Sequence, residues 1–267
     1  MNFKFAVCLA LNLVCLSALA DTLTVKMDKN YYFQKFDQKE IEISVSNPSS
    51  KLVFAEAALY KGNLKDGQVD FDFGNKITNY DVYPTSIVIP AGQNKKIKLF
   101  RDTAAVRTGQ EEYYRIRVTP KSADAALKAN PKLMELLTAS EKQSIADEGS
   151  VTAKLNFFLG SGSVLIVQEG ASVLDKNISI SKLVKNATVE FFVSNNGVET
   201  VELEDAKVFV GKKFIQLGSI LLRAGGSRTI AISSEDLKGN SMTADSDFNE
   251  VRFADQHKQD HVIALGK

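Results

Sequence analysis

SVTAKLNFFLGSGSVLIVQ, residues Ser150–Gln168, alternates apolar and polar side chains, breaks at Gly-Ser-Gly, and turns apolar again. Side chains two apart on an extended chain share a face. Val151, Ala153, Leu155, Phe157 and Leu159 therefore point one way, and Thr152, Lys154 and Asn156 the other. From Val151 to Val167 the stretch would span roughly 50 Å at about 3.3 Å per residue, beyond the usual strand of about three to ten residues. The pattern alone reads first as a core strand with its apolar face buried at home. The break at Gly160-Ser161-Gly162 reads as a bend or bulge, since no helix follows to make it a phosphate loop.

The surrounding chain is patterned in the same way. Ile41–Ser46 alternates and ends at the turn cluster Asn47-Pro48-Ser49-Ser50; Leu52–Tyr60 follows as a further strand. Ile87-Val88-Ile89, the turn Pro90-Ala91-Gly92 and Ile97-Lys98-Leu99 form a hairpin, and Tyr113–Val118 runs to Pro120. These signals then recur. Val45-Ser46-Asn47 returns as Val193-Ser194-Asn195, and SIVIPAGQNKKIKL (Ser86–Leu99) as SILLRAGGSRTIAI (Ser219–Ile232). Two matches in the same order predict two β-sandwiches of one kind in tandem, where chance similarity between hairpins is the alternative. Ser122–Ser144 breaks the β pattern. It is rich in Ala, Leu, Lys and Glu, with Asn130 to cap, Pro131 in a first turn, and Leu133, Leu136 and Leu137 on one face. A short helical insertion is predicted there, followed at the far end of the chain by a polar tail, Asp236–Lys267, with a strand at His261–Leu265.

The chain has 267 residues, 44% hydrophobic and 24% charged, with a formal net charge of +1. No charge excess points to nucleic acid or to an anionic membrane surface. MNFKFAVCLALNLVCLSALA reads as a secretory leader: Lys4 in a short n-region, an apolar run, and Ala18-Leu19-Ala20 before Asp21. An uncleaved anchor is the alternative, and the short run ending in small residues speaks against it. Both cysteines, Cys8 and Cys15, lie inside this leader, so the mature chain has no disulfide and depends on apolar burial.

Catalytic parts are sparse. The sequence has no Gly-x-Ser-x-Gly elbow and no Walker-type loop. His257 and His261, beside Asp255 and Asp260, have a helical metal-binding spacing but lie in a polar segment with little helical support; a solvated tail is the reading. No catalytic residue, metal site or cofactor is expected.

Leader, N-terminal sandwich with the hairpin SIVIPAGQNKKIKLF, then EEYYRIRVTP, then a long strand ending GSVLIVQ, then a second sandwich: in this order the sequence resembles the periplasmic pilus-assembly chaperones of chaperone–usher systems, the PapD-like proteins, in a divergent branch. The resemblance implies an all-β fold of two tandem immunoglobulin-like β-sandwich domains in an L shape, with the helical insertion (about 122–145) before the strand called G1. The expected divisions are a signal peptide at 1–20, an N-terminal chaperone domain at 21–168 and a C-terminal domain at 169–267 that ends in the polar tail. It implies a non-enzymatic function. The G1 strand is lent to a pilus or fimbrial subunit that lacks its last strand, and the subunit is passed to an outer-membrane usher. Val164–Val167 would complete the home sheet, and Val151, Ala153, Leu155, Phe157 and Leu159 would face the client.

The family grips its client's C-terminal carboxylate with two basic residues. Here the candidates are Lys29, with Lys26 behind it, and Lys154; an alignment by the strand's end puts the second anchor near Ser163. Gln168-Glu169 stands where the family has Arg-Pro. Glu112 matches the acid that opens the family's F1 strand, without its usual Arg partner in the sequence reading. Implied partners are pilin-like subunits and the usher, with no nucleic acid and no membrane insertion once the leader is cleaved in the periplasm. An apolar row of this kind also favours a self-capping dimer when no client is bound. The competing reading is an exported two-domain structural or adhesive protein that keeps the strand in its own core. A carbohydrate-binding module is a third, against which the absence of Trp counts.

Overall fold

The computed structural model describes residues 21–65, 68–74, 77, 79–102, 109–149, 156–170, 177–185 and 188–265. Strands dominate. The first group is β1 (Asp21–Thr24), β2 (Lys26–Met27), β3 (Tyr31–Lys35), β4 (Glu40–Ser46), β5 (Val53–Lys65), β6 (Gln68–Phe71), β7 (Tyr80–Tyr83), β8 (Ser86–Ile89), β9 (Asn94–Arg101), β10 (Glu112–Lys121), β11 (Asn156–Leu159) and β12 (Ser161–Gln168). One sheet runs β3-β12-β10-β5-β6, with β8 also on β5; the facing sheet runs β2-β4-β9-β7. Alternate residues of both sheets meet in one core, with Ile43, Ile97 and Leu99 from one side and Tyr114, Ile116 and Leu165 from the other.

The second group is β13 (Ile178–Lys185), β14 (Thr188–Asn195), β15 (Val201–Val210), β16 (Lys213–Leu222), β17 (Ser227–Ile232), β18 (Glu250–Ala254) and β19 (Asp260–Ala264). Its sheets are β13-β14-β17 and β16-β15-β18-β19, around a separate core that includes Phe191, Leu203 and Leu222. The chain is thus an all-β fold of two sandwiches in tandem, as the repeat predicted.

The repeat holds at the level of atoms. The Asn47 side chain donates to the carbonyls of Lys51, Ile89 and Pro90 and accepts from the Ser49 N–H. Asn195 donates to the carbonyls of Glu199, Leu222 and Arg223 and accepts from the Gly197 N–H. Each asparagine ties its own turn to the following hairpin, whose glycine, Gly92 or Gly225, has a positive φ of 67° or 64°.

The helical insertion is present as α1 (Ala123–Ala129), a 3-10 turn (Pro131–Leu136) and α2 (Ala139–Gly149). Its caps differ from the expectation. Asn130 precedes the 3-10 turn and Pro131 opens it as expected, but the Asn130 side chain makes no cap hydrogen bond; α1 has its own cap in Ser122, whose hydroxyl accepts from the Ala125 N–H. Thr138 and Glu141 form a reciprocal capping box. Leu133 and Leu137 are buried against Phe54 and Val88 on the outside of the first sandwich. Leu136 does not join them and is 70% exposed, because the turn ends there and Leu137 is extended.

Two further expectations are corrected. The segment from Asp236 is not a polar tail: α3 (Ser234–Gly239) supplies Leu237 to the second core, and the chain after it supplies Met242, Phe248, Val251, Phe253 and Leu265, with β18 and β19 added to its sheet. Glu112 does have an arginine partner. Arg101, at the end of β9, meets it at 2.8 Å with side-chain exposures of 2% and 12%, and also donates to the Phe36 carbonyl. Arg101 ends β9 in one sheet and Glu112 opens β10 in the facing sheet, so the pair forms across the fold and not along a strand.

Candidate functional site

The long strand of the sequence reading is two strands. β12 pairs antiparallel with β10 from Glu112↔Val167 to Val118↔Ser161 and parallel with β3 from Val164↔Tyr31 to Gln168↔Lys35. Leu165, Ile166 and Val167 are buried, so Val164–Val167 completes the home sheet as expected. At Gly160 the chain leaves that sheet. β10 continues to Lys121 along β5, but β11 no longer follows it. Pro120 has no N–H to donate at that point. β11 pairs instead with β1, in parallel, from Asp21↔Asn156 to Thr24↔Leu159. Among the described residues no strand lies on its other edge.

Of the five residues expected to face a client, Val151, Ala153 and Leu155 lie outside the described residues, as does Lys154. Phe157 and Leu159 are 50% and 54% exposed. Phe158, which the alternation placed on the opposite face, is 39% exposed. It lines a groove of about 550 Å³ with Leu23, Leu52, Phe54 and Ile145, between the ribbon and the helical insertion. β11 is therefore apolar on both faces, and neither face is part of a core. The run of three large apolar residues in NFFL was the available signal for this second face.

Lys29 lies in the exposed turn before β3. Its carbonyl accepts from the Ser163 hydroxyl, and the Val164 N–H donates to Asn30 O, so β12 fixes the turn. Ser163 thus supports the Lys29 turn and supplies no charge. Lys26 is on β2, paired with Ser46. Across from Lys29 the second sandwich presents Glu202. Burial, then the nearby Glu204, push its carboxyl above the ordinary range, opposed by Lys258 and Lys29.

Gln168 does work that the sequence reading did not foresee. Its amide donates to Glu111 and to the Thr200 carbonyl and accepts from Gln256. Glu111 also accepts from the Thr200 N–H, the Thr200 hydroxyl and the Tyr113 hydroxyl. Burial, then the Glu111 charge, raise the Tyr113 hydroxyl well above its usual range, so it stays a donor. This network joins the two sandwiches through polar groups whose partners are all satisfied.

His261 is on β19, and its ring lies 3.1 Å from Asp255 and stacks on Phe253. Among the described residues no group of three His, Cys, Asp or Glu is placed to hold a metal, and no helix is long and apolar enough to cross a membrane.

No protein-family model matches the sequence, and no curated protein matches it. Solved structures with a similar arrangement include chaperones. The CsuC–CsuE chaperone–tip subunit pre-assembly complex from archaic chaperone–usher Csu pili of Acinetobacter baumannii is 13% identical, covering 90% of this chain and 97% of that one, with a TM-score of 0.45. The E. coli chaperone DraB is 9% identical over 93% and 100%, at 0.49. The Pseudomonas aeruginosa chaperone CupB2 is 13% identical over 90% and 100%, at 0.48. These likenesses are loose.

Proposed function

We propose that the protein is a periplasmic chaperone for pilus or fimbrial subunits, exported by a cleaved leader. It stabilises its client by adding β11, with the residues before it, to the client's incomplete sheet. It then delivers the client to an outer-membrane usher. On this reading the chaperone domain is 21–168 and the second domain 169–267, and unliganded molecules cap the apolar row by pairing with one another. One observation carries it: β11 exposes Phe157, Phe158 and Leu159 beside an edge that no described strand covers. The pairing with β1 leaves the other edge of β11 and the side chains of Phe157 and Leu159 uncovered, and strand addition supplies both the missing hydrogen bonds and the burial. Burying Phe157 and Leu159 in a client contributes about 3–6 kcal/mol, at about 1.5–3 kcal/mol each. That alone corresponds roughly to millimolar to tens-of-micromolar binding, which leaves a share for backbone pairing and an anchor.

The test is purification of the tagged protein from its native periplasm beside a Phe157→Asp/Leu159→Asp variant. The expected result is that small β-rich subunits accompany the wild type at one to one and are lost from the variant, which keeps the wild-type melting curve. If the wild type emerges alone and the variant is unfolded, the strand belongs to the protein's own fold. The exported structural reading then replaces this one.

A further inference from the structure

The chain from Asp21 to Lys35 follows one flank of β11 and β12 throughout. Asp21–Thr24 pairs with β11, the Val25 N–H donates to Leu159 O, the Met27 N–H donates to the Ser161 hydroxyl, and Tyr31–Lys35 pairs with β12. The open edge of β11 is therefore its other flank, the side that β10 takes along β12. There β10 has run past its last pair with β12, Val118↔Ser161, and leads into the helical insertion.

That flank borders the groove of about 550 Å³. Residues 121–124, where β10 passes into α1, line it together with Phe158 on the ribbon and Ile145 on α2. Leu23, Leu52, Phe54 and Ile145 pack on the first core or on the cluster beneath the insertion, and each also lines the groove. Apolar side chains that face an open groove forgo the contacts that a packed interior makes.

The register says what enters. Leu23 is the β1 residue opposite Phe158. Side chains opposite one another in a sheet share a face, so Leu23 and Phe158 line the groove together, and Thr22 and Thr24 lie with Phe157 and Leu159 on the other face. A strand added to the open edge places one residue opposite Phe158 in the same way. Its side chain becomes the third member of the row that Leu23 and Phe158 begin, and it points toward the groove.

We infer that the groove is a pocket for one client side chain, a large apolar one, carried opposite Phe158 by the strand that pairs with β11. This rests on the strand-lending reading above and adds the client's chemistry to it. The residues on either side of that position face the other way, with Phe157 and Leu159, into the client's own core. The client strand is therefore apolar at three successive positions, where a strand with one face in water alternates. The helical insertion supplies the far wall through Ile145, and so selects clients by that one outward residue.

The probe is a fluorescently labelled nine-residue peptide, TVTVFVTVT, beside TVTVTVTVT. Both read the same in either direction, so strand polarity does not bear on the comparison. Binding is read by anisotropy to wild type, Ser144→Trp and Phe157→Asp/Leu159→Asp. Ser144 is exposed and lines the groove, so an indole there fills the pocket without entering a core. The expected result is that the phenylalanine peptide binds wild type about tenfold tighter than the threonine peptide, from burial of one aromatic side chain. Ser144→Trp should erase that difference by weakening the phenylalanine peptide, with threonine-peptide binding and the melting curve unchanged. Phe157→Asp/Leu159→Asp should lose both peptides. Equal binding of the two peptides to wild type would overturn the pocket and leave strand lending intact, and so would a preference that survives Ser144→Trp. Phenylalanine-peptide binding that survives Phe157→Asp/Leu159→Asp would make the groove a site for some other apolar ligand and overturn the client strand as its occupant. No binding of either peptide to wild type would overturn strand lending and the pocket together.

Discussion

Asn47 and Asn195 are almost fully buried, at 1% and 0% exposure, and each satisfies three carbonyls that would otherwise be orphaned inside the fold. An unsatisfied buried polar group costs about 1–3 kcal/mol. Asn195→Ala should therefore lower the unfolding free energy by about 2–3 kcal/mol, read as a fall in the urea midpoint without a change in slope. Glu202 behaves in the opposite sense. Its carboxyl is raised in the folded state, first by burial and then by Glu204. The fold therefore prefers it neutral, and its contribution is full below the ordinary carboxyl range and lost as pH rises through the folded value. Glu202→Gln keeps the neutral form at every pH. Its melting temperature should exceed that of the wild type at pH 7 and match it near pH 3; a lower value at pH 7 would contradict the assignment.

At the scale of elements, the insertion separates residues that look alike in sequence. Leu133 is 3% exposed and packs on Phe54 and Val88, whereas Leu136 is 70% exposed. Leu133→Ala should cost about 3 kcal/mol and Leu136→Ala less than about 0.5 kcal/mol, measured by chemical denaturation. The alternation of Ile41–Ser46 and the two Ala-Gly hairpins made the strands and the repeat legible, because a strand's face pattern is local. The insertion's true faces were less so, because a helical periodicity drawn through Leu133–Leu137 ignores the point where the helix stops. β18 was missed because Val251 and Phe253 are only two apolar positions in a charged stretch; their pairing with β15 decides it. In the site, Phe157 and Leu159 were legible from the alternation. The Arg101–Glu112 pair and the Gln168 network were not, since each depends on which strand ends the fold brings together.

Over the whole molecule, the two cores communicate through a few polar groups. Thr200, Tyr113 and Gln168 all donate to Glu111. Glu111→Ala leaves both cores intact and removes the shared acceptor, so a single calorimetric transition should split into two; one unchanged transition would place the coupling elsewhere. Stability is uneven in another respect. The β1–β11 ribbon has two strands and touches the first core through Leu23 of β1, while β11 itself belongs to neither core; such a ribbon is only marginally stable by itself. Its amides should exchange with solvent deuterium through small local openings, while those of Leu165–Val167, a few residues further along the same chain, wait for global unfolding. β11 can thus open and close on the timescale of those local openings while both sandwiches remain folded, and on the proposed reading that is when a client strand enters or leaves.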